Sequence, residues 1–243
     1  MRLLTGALPQ EPGDDPALEL ALAHAMVRDG NDAVRVYRPS RPMLVFGRRD
    51  TRLPGFAAAV DAGRVRGFAP AVRATGGRAV AYTEQAVVLD LVHHEPDAVA
   101  RQEARFLRIG GQLVDLLRQL GVDARLGDVP GEYCPGAHSV NARGTAKLVG
   151  TAQRVVRDAW LFSALVQVDD AERVAECLDP VYRALEQPFD PRSVGAVADE
   201  APGLTAVAVE QAVLGSFAAG LAPEPVPEAV ATLARTLLEH HLP

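Results

Sequence analysis

Residues 139–168 read SVNARGTAKLVGTAQRVVRDAWLFSALVQV. SVNA and KLVG flank ARGTA as a hairpin, and TAQRVV and AWLFSALVQV follow as two more strands about an Arg157-Asp158 turn. Strands joined in succession by tight turns pair antiparallel. Working toward the N-terminus, AVRVY (33–37), MLVF (43–46), PAVRA (70–74), RAVAY (78–82), AVVLDLV (86–92) and VDARL (122–126) read as further strands. Helices are expected from Asp15-Pro16 to Gly30 and from Pro54 to about Val65. A longer one spans 97–120, where Phe106, Ile109, Leu113, Leu116, Leu117 and Leu120 recur at helical spacing and Gly121 stops the run. Beyond Asp170 the pattern turns helical over 171–178, 206–219 and 228–240. Strands in succession interrupted by long helices imply an α+β fold with a mixed, mostly antiparallel sheet flanked by helices. A doubly wound dinucleotide fold would need a strict strand–helix alternation that is missing.

The 243 residues are 48% hydrophobic and 23% charged, with a formal charge of −6. That apolar fraction suffices for a core, and we expect one catalytic domain over 1–243 with the C-terminal helices, 204–241, packed on it. The acidic balance argues against nucleic acid as a partner. No apolar run reaches the length of a membrane span. The opening MRLLTGALPQEPGDDP is too interrupted for a signal peptide, so a cytoplasmic location is expected. Cys134 and Cys177 cannot make a disulfide framework or, with no CxxC pair, a zinc site.

No GxGxxG, GxxxxGK[ST] or GxSxG motif occurs. His93-His94 and His240-His241 read as solvated neighbours rather than metal ligands, and Cys177 as a small buried apolar side chain. Three segments remain. In RATGGRAV (73–80) a glycine pair between strands either makes a turn or lets backbone N–H groups approach a carbonyl or anion. In EYCPG (132–136) Cys134 is either an accessible thiol or a loop cysteine with no role. In KLVGTAQR (147–154) stands Lys147, the one lysine among 25 basic residues. It is either an exposed hairpin residue or a point charge in a site too narrow for a guanidinium.

Taken in order, GRR (47–49), RATGGRAV and KLVGTAQR resemble the lipoate/biotin protein ligase family in its lipoyl branch, over about residues 15–190. There the segments run GR-x-Q, R-x-[ST]-GG-x-AV and K-[ILV]-x-G-[ST]-A-Q-R. EYCPG looks like the SYCPG loop of the cysteine-dependent amidotransferases, which move octanoyl or lipoyl groups from the glycine-cleavage H protein to other lipoyl domains. The ligases of the family generally lack that cysteine and add an accessory domain; here 53 residues follow Asp190. Two positions depart from the pattern. Ala81-Tyr82-Thr83-Glu84 stands where the family often has an Asp-bearing stretch, and Ser139 where it usually has Asp.

The resemblance implies an acyltransferase. Cys134 would carry the acyl chain as a thioester, and Lys147 would bind the acyl carbonyl and steady the oxyanion. Arg73, Thr75, Gly76, Gly77, Arg78, Gly150, Thr151 and Ala152 would bind substrate, and Val and Leu side chains of the sheet would form a tunnel for the chain. The implied partners are lipoyl-carrier proteins, namely the glycine-cleavage H protein and the dihydrolipoyl acyltransferase subunits of 2-oxoacid dehydrogenases, with acyl carrier protein as another donor. No cofactor is needed for transfer. The rival readings are a ligase using ATP and Mg through an acyl-adenylate, and an inactive module that binds lipoyl domains.

Overall fold

The computed structural model describes residues 1–5 and 15–243; residues 6–14, within the stretch read above as no signal peptide, lie outside the described residues. In chain order the elements are β1 (Arg2–Thr5), α1 (Leu18–Met26), β2 (Ala33–Tyr37), β3 (Met43–Phe46), α2 (Phe56–Val65), β4 (Ala69–Val72), β5 (Val80–Tyr82), β6 (Ala86–His94) and α3 (Gln102–Gln119). Then come β7 (Ala124–Leu126), β8 (Val140–Ala142), β9 (Ala146–Val156), β10 (Ala159–Gln167), α4 (Ala171–Ala184), α5 (Val197–Glu200), α6 (Ala206–Phe217), β11 (Pro223–Pro225) and α7 (Glu228–Leu237). A large sheet runs β11-β1-β2-β6-β10-β9-β8-β7, antiparallel except where β1 lies parallel to β11 and β2. A small sheet, β4-β3-β5, stands beside it.

The period-2 alternation of the strands separates two faces. Val34 and Val36 of β2, Val87, Leu89 and Leu91 of β6, and Trp160, Phe162 and Ala164 of β10 point to one side. There they meet Ile109, Leu113 and Leu117 of α3 and Val209 and Val213 of α6. The other face looks toward the small sheet and α1. The back of the small sheet is closed by α2 and α4 through Leu44, Phe46, Val60, Leu178 and Val181.

Several elements differ from the expectation. KLVG and TAQRVV are one unbroken 11-residue strand, β9. The helix read as 171–178 continues to Ala184 through Pro180. Proline forfeits one helical hydrogen bond, but Val181 and Tyr182, both buried, anchor the extra turn against the small sheet's core. The terminal helix is α-helical only to Leu237 and finishes as a 3-10 turn. β1 and β11 escaped the sequence reading: β11 is Pro-Glu-Pro, tolerable because an edge strand can lack donors on its outer side.

His241 is fully buried, contrary to the solvated reading. Its Nδ1–H donates to the Val72 carbonyl at 2.7 Å, which leaves its Nε2 to accept from His24 Nδ1 at 3.2 Å. His93 and His94 are both paired with Asp32. Burial, followed by nearby arginine charge, pushes His24 down to about 4, and burial does the same to His241. Folding therefore favours the neutral rings. Stability is full above the unfolded histidine value and is lost as pH falls from about 6.5 toward 4. At pH 5 we expect a loss of about 2 kcal/mol per ring. Buried Asp90, pushed up to about 6, returns about 1 kcal/mol over the same range because folding favours its protonated form. Tm should thus be lower at pH 5 than at pH 7.5, and His24→Phe should narrow the gap. An unchanged gap would mean that the pair is not what titrates.

Candidate active site

The loop 127–139 between β7 and β8 carries Cys134, which adopts a left-handed φ of 44°. A non-glycine residue holds that conformation only when its surroundings insist. Its N–H donates to the Tyr182 hydroxyl at 2.6 Å, and that hydroxyl donates to the Ala79 carbonyl at 2.8 Å. From the other side, Lys147 donates to the carbonyls of Tyr133 at 2.9 Å and Cys134 at 3.0 Å, and to Glu132 Oε1 at 3.3 Å. Glu132 also accepts from the Ser139 hydroxyl at 2.7 Å and the backbone N–H groups of Gly136 and Val129. Lys147 is only 1% exposed. Burial draws its pKa below the usual lysine range, and the adjoining Cys134 and Glu132 charges oppose the shift.

The sulfur is approached by two donors. The Arg78 N–H lies 3.1 Å from Sγ, and Arg73 Nη2 lies 3.6 Å away. Arg73 is itself fixed by donating to the carbonyls of Gly76, Val45 and Arg78 at 2.9, 3.0 and 2.6 Å. The Arg78 side chain pairs at 3.2 Å with buried Asp50, whose other oxygen accepts the Gly47 N–H. Gly47 must be glycine, since a Cβ there would stand 1.9 Å from the Gly77 carbonyl. Gly77 has φ +101°, and a Cβ would come within 2.6 Å of both Arg73 Nη2 and Cys134 Sγ. Gly77→Ala should therefore push the sulfur aside. Displacement of a reacting group by ~1 Å costs about a hundredfold in rate, so acyl transfer should fall by that order while far-UV circular dichroism stays native. Wild-type turnover would show that the close packing has slack.

Between the large sheet, the small sheet and α1 lies a cavity of about 720 Å³, its open mouth included. Cys134, Lys147, Arg73, Thr75, Gly150, Thr151 and Ala152 line it, together with Leu20, Val45, Val80, Val88, Leu161 and Leu165. The apolar walls match the expected tunnel, although Asp90, Ser163, Tyr37 and Tyr82 also reach it. Of the other residues singled out from sequence, Gly76 and Gly77 form the turn behind the sulfur and Arg78 contributes its backbone N–H. The Thr151 hydroxyl donates to the His138 carbonyl at 3.0 Å.

Residues 12–218 match the family model of the lipoyl protein ligase A/B catalytic domain. The chain belongs to that family. Among relatives of the lipoyl ligase A/B family, an octanoyl-[GcvH]:protein N-octanoyltransferase of Exiguobacterium sp. (strain ATCC BAA-1283 / AT1b) is 30% identical over 114 residues, 47% of this chain and 40% of its own. A Lysinibacillus sphaericus (strain C3-41) protein of the same name is 29% identical over 151 residues, 59% of this chain and 52% of its own. The chain thus spans about half the length of the curated relatives it matches. In fold it is similar to the T. acidophilum protein Ta0514 with bound lipoic acid (TM-score 0.76, 22% identity) and to lipoate-protein ligase A bound with ATP (TM-score 0.76, 23% identity). Each likeness covers 98% of this chain and 94% of the other.

Ser139 and Glu132 are hydrogen-bonded to each other, and Glu132 is in turn paired with Lys147. Glu132 and Tyr182 are functional residues that the motifs alone do not single out: the acid two residues before the loop cysteine is a local signal for Glu132, whereas Tyr182, 48 residues downstream on α4, carries none.

Proposed function

We propose that this protein is an acyltransferase that moves an octanoyl or lipoyl group onto the lysine of a lipoyl-carrier domain through a thioester on Cys134. One observation carries the reading: a half-buried cysteine opens onto an apolar cavity with an N–H and a guanidinium at its sulfur. The names of the relatives, which specify octanoyl transfer from GcvH, support it. Sulfur attacks the carbonyl of the donor's octanoyl-lysine amide, the C–N bond breaks, and the thiol's proton leaves on the lysine amine. The acceptor lysine then attacks the thioester, releases the sulfur and forms a new amide. Amide is exchanged for amide overall, so no nucleotide is needed to drive the reaction.

The Arg78 N–H and the Arg73 guanidinium are the donors nearest the reacting centre and are disposed to receive a developing oxyanion. Lys147, with three loop oxygens as partners, holds the cysteine loop and faces the cavity beside it. The donor in this reading is the glycine-cleavage H protein; dihydrolipoyl acyltransferase subunits are acceptors. The chain should be incubated with octanoylated H protein, without ATP, and analysed by intact mass. One octanoyl increment should appear on Cys134 and pass to an added lipoyl domain. Acylation only with ATP and Mg would make the protein a ligase, and no acylation at all would make it a binding module.

A further inference from the structure

Two aromatic side chains stand at the end of the cavity away from the sulfur. Tyr37 of β2 and Tyr82 of β5 line it, and both also line a second, smaller pocket of about 230 Å³, its open mouth included. Among the described residues these two alone border both spaces. Strand register explains their place. On β3 and β5 the rung Val45–Val80 faces the cavity, and the next rung, Met43–Tyr82, reaches the outer pocket. Arg78, whose N–H lies 3.1 Å from Cys134 Sγ, precedes Tyr82 by four residues, at most about 14 Å of chain. Across the large sheet, Gly150, Leu165, Val88 and Tyr37 pair in one row that lines the cavity. That row covers three strand spacings, about 14 Å. Both routes from the reacting end stop at a phenol ring.

Packing holds these rings in place. Tyr82 is 5% exposed and belongs to an apolar cluster with Met43, Val45 and Ala71. Tyr37 is half-buried, with the Arg35 guanidinium 3.9 Å from its ring centroid. Arg35 is itself buried and paired with Glu19 of α1, so the ring has little room to swing aside. We propose that Tyr37 and Tyr82 set the length of acyl chain that the cavity accepts, ending it at the octanoyl and lipoyl scale. The pocket behind them is then a closed-off extension, which a longer chain enters once either ring is removed. Up to the rings, Leu20, Val88, Leu161 and Leu165 make each methylene favourable. Beyond them a further methylene must displace a packed phenol. The inference rests on the cavity being the acyl site of the proposed transferase.

The test separates binding from chemistry. Octanoate and dodecanoate are titrated into the full chain by calorimetry. In parallel, the octanoyl and dodecanoyl thioesters of N-acetylcysteamine are assayed for Cys134 acylation by intact mass. An apolar pocket discriminates a single methylene by about tenfold or more, so the wild-type protein should favour octanoate by at least about tenfold. A longer chain binds an open apolar groove more tightly, so this order runs against the general trend. Tyr37→Ala and Tyr82→Ala should each abolish or reverse the preference, whereas Tyr82→Phe, which keeps the ring, should retain it. Dodecanoate binding as well as or better than octanoate in the wild-type protein overturns the inference, whether or not the variants fold. So does an unchanged preference in folded Tyr37→Ala, the variant on the half-buried side of the wall. A preference for octanoate that Tyr37→Ala relaxes, with no Cys134 acylation by either thioester, would sustain the inference and sink the transferase reading instead.

Discussion

Cys134→Ser should lower acyl transfer by about a thousandfold or more, the usual scale for removing a covalent nucleophile, with Tm nearly unchanged. Serine keeps the loop conformation, since the contacts that hold residue 134 are backbone ones: its N–H to Tyr182 and its carbonyl to Lys147. What it forfeits is a nucleophile able to accept an acyl group at neutral pH without an attending base. No imidazole lies within hydrogen-bonding distance of Sγ among the described residues; its partners are the Arg78 N–H and Arg73. Cys177 cannot substitute. It is fully buried beneath α2, and burial pushes its thiol up to about 12. Peptide mapping of the acylated wild type should therefore find the increment on Cys134 alone. Wild-type transfer by the serine variant would end the thioester mechanism.

Lys147→Met should cost about 3–5 kcal/mol of stability and nearly all activity. The ammonium is the counter-charge of Glu132, and both side chains are sealed from water. Removing one member of a buried pair strands the other, which is what makes the loss so large. The Tyr133 and Cys134 carbonyls would lose a donor as well, and the loop that presents the sulfur would drift. Lys147→Arg keeps the charge but must seat a planar fork where three oxygens converge on one nitrogen. Activity should still fall about a hundredfold, the scale for a reacting sulfur displaced by ~1 Å, now with a measurable loss of Tm, because the site is tight and not an exposed hairpin. Adding Glu132→Gln to Lys147→Met should recover part of the stability by removing the stranded carboxylate, without restoring turnover. Unfolding curves and transfer rates on the same preparations decide the matter. If Lys147→Met is as stable as wild type, the ion pair does not organise the loop.

Much of this protein is local and so was legible. Hairpin strands pair with their sequence neighbours, and the 3–4 spacing of α3 needs only its own residues, so the mostly antiparallel sheet and its helical cover follow from residues 86–168. Lys147 stood out because an arginine-rich chain retained it, and Cys134 because Pro and Gly leave its loop no regular structure. The rest depends on distant partners. β1 becomes a strand only between β2 and β11, the latter 220 residues away in register. α4 outlasts Pro180 because Val181 and Tyr182 bury themselves against the small sheet. The left-handed turn at Cys134 is imposed by a phenol on α4 and an amine on β9. Asp90 reads in sequence as one polar residue in an apolar strand, and the register with Ser163 puts it on the cavity floor. Periodicity tells which face a side chain takes; only tertiary packing brings a second group to that face, and catalysis and selection need both.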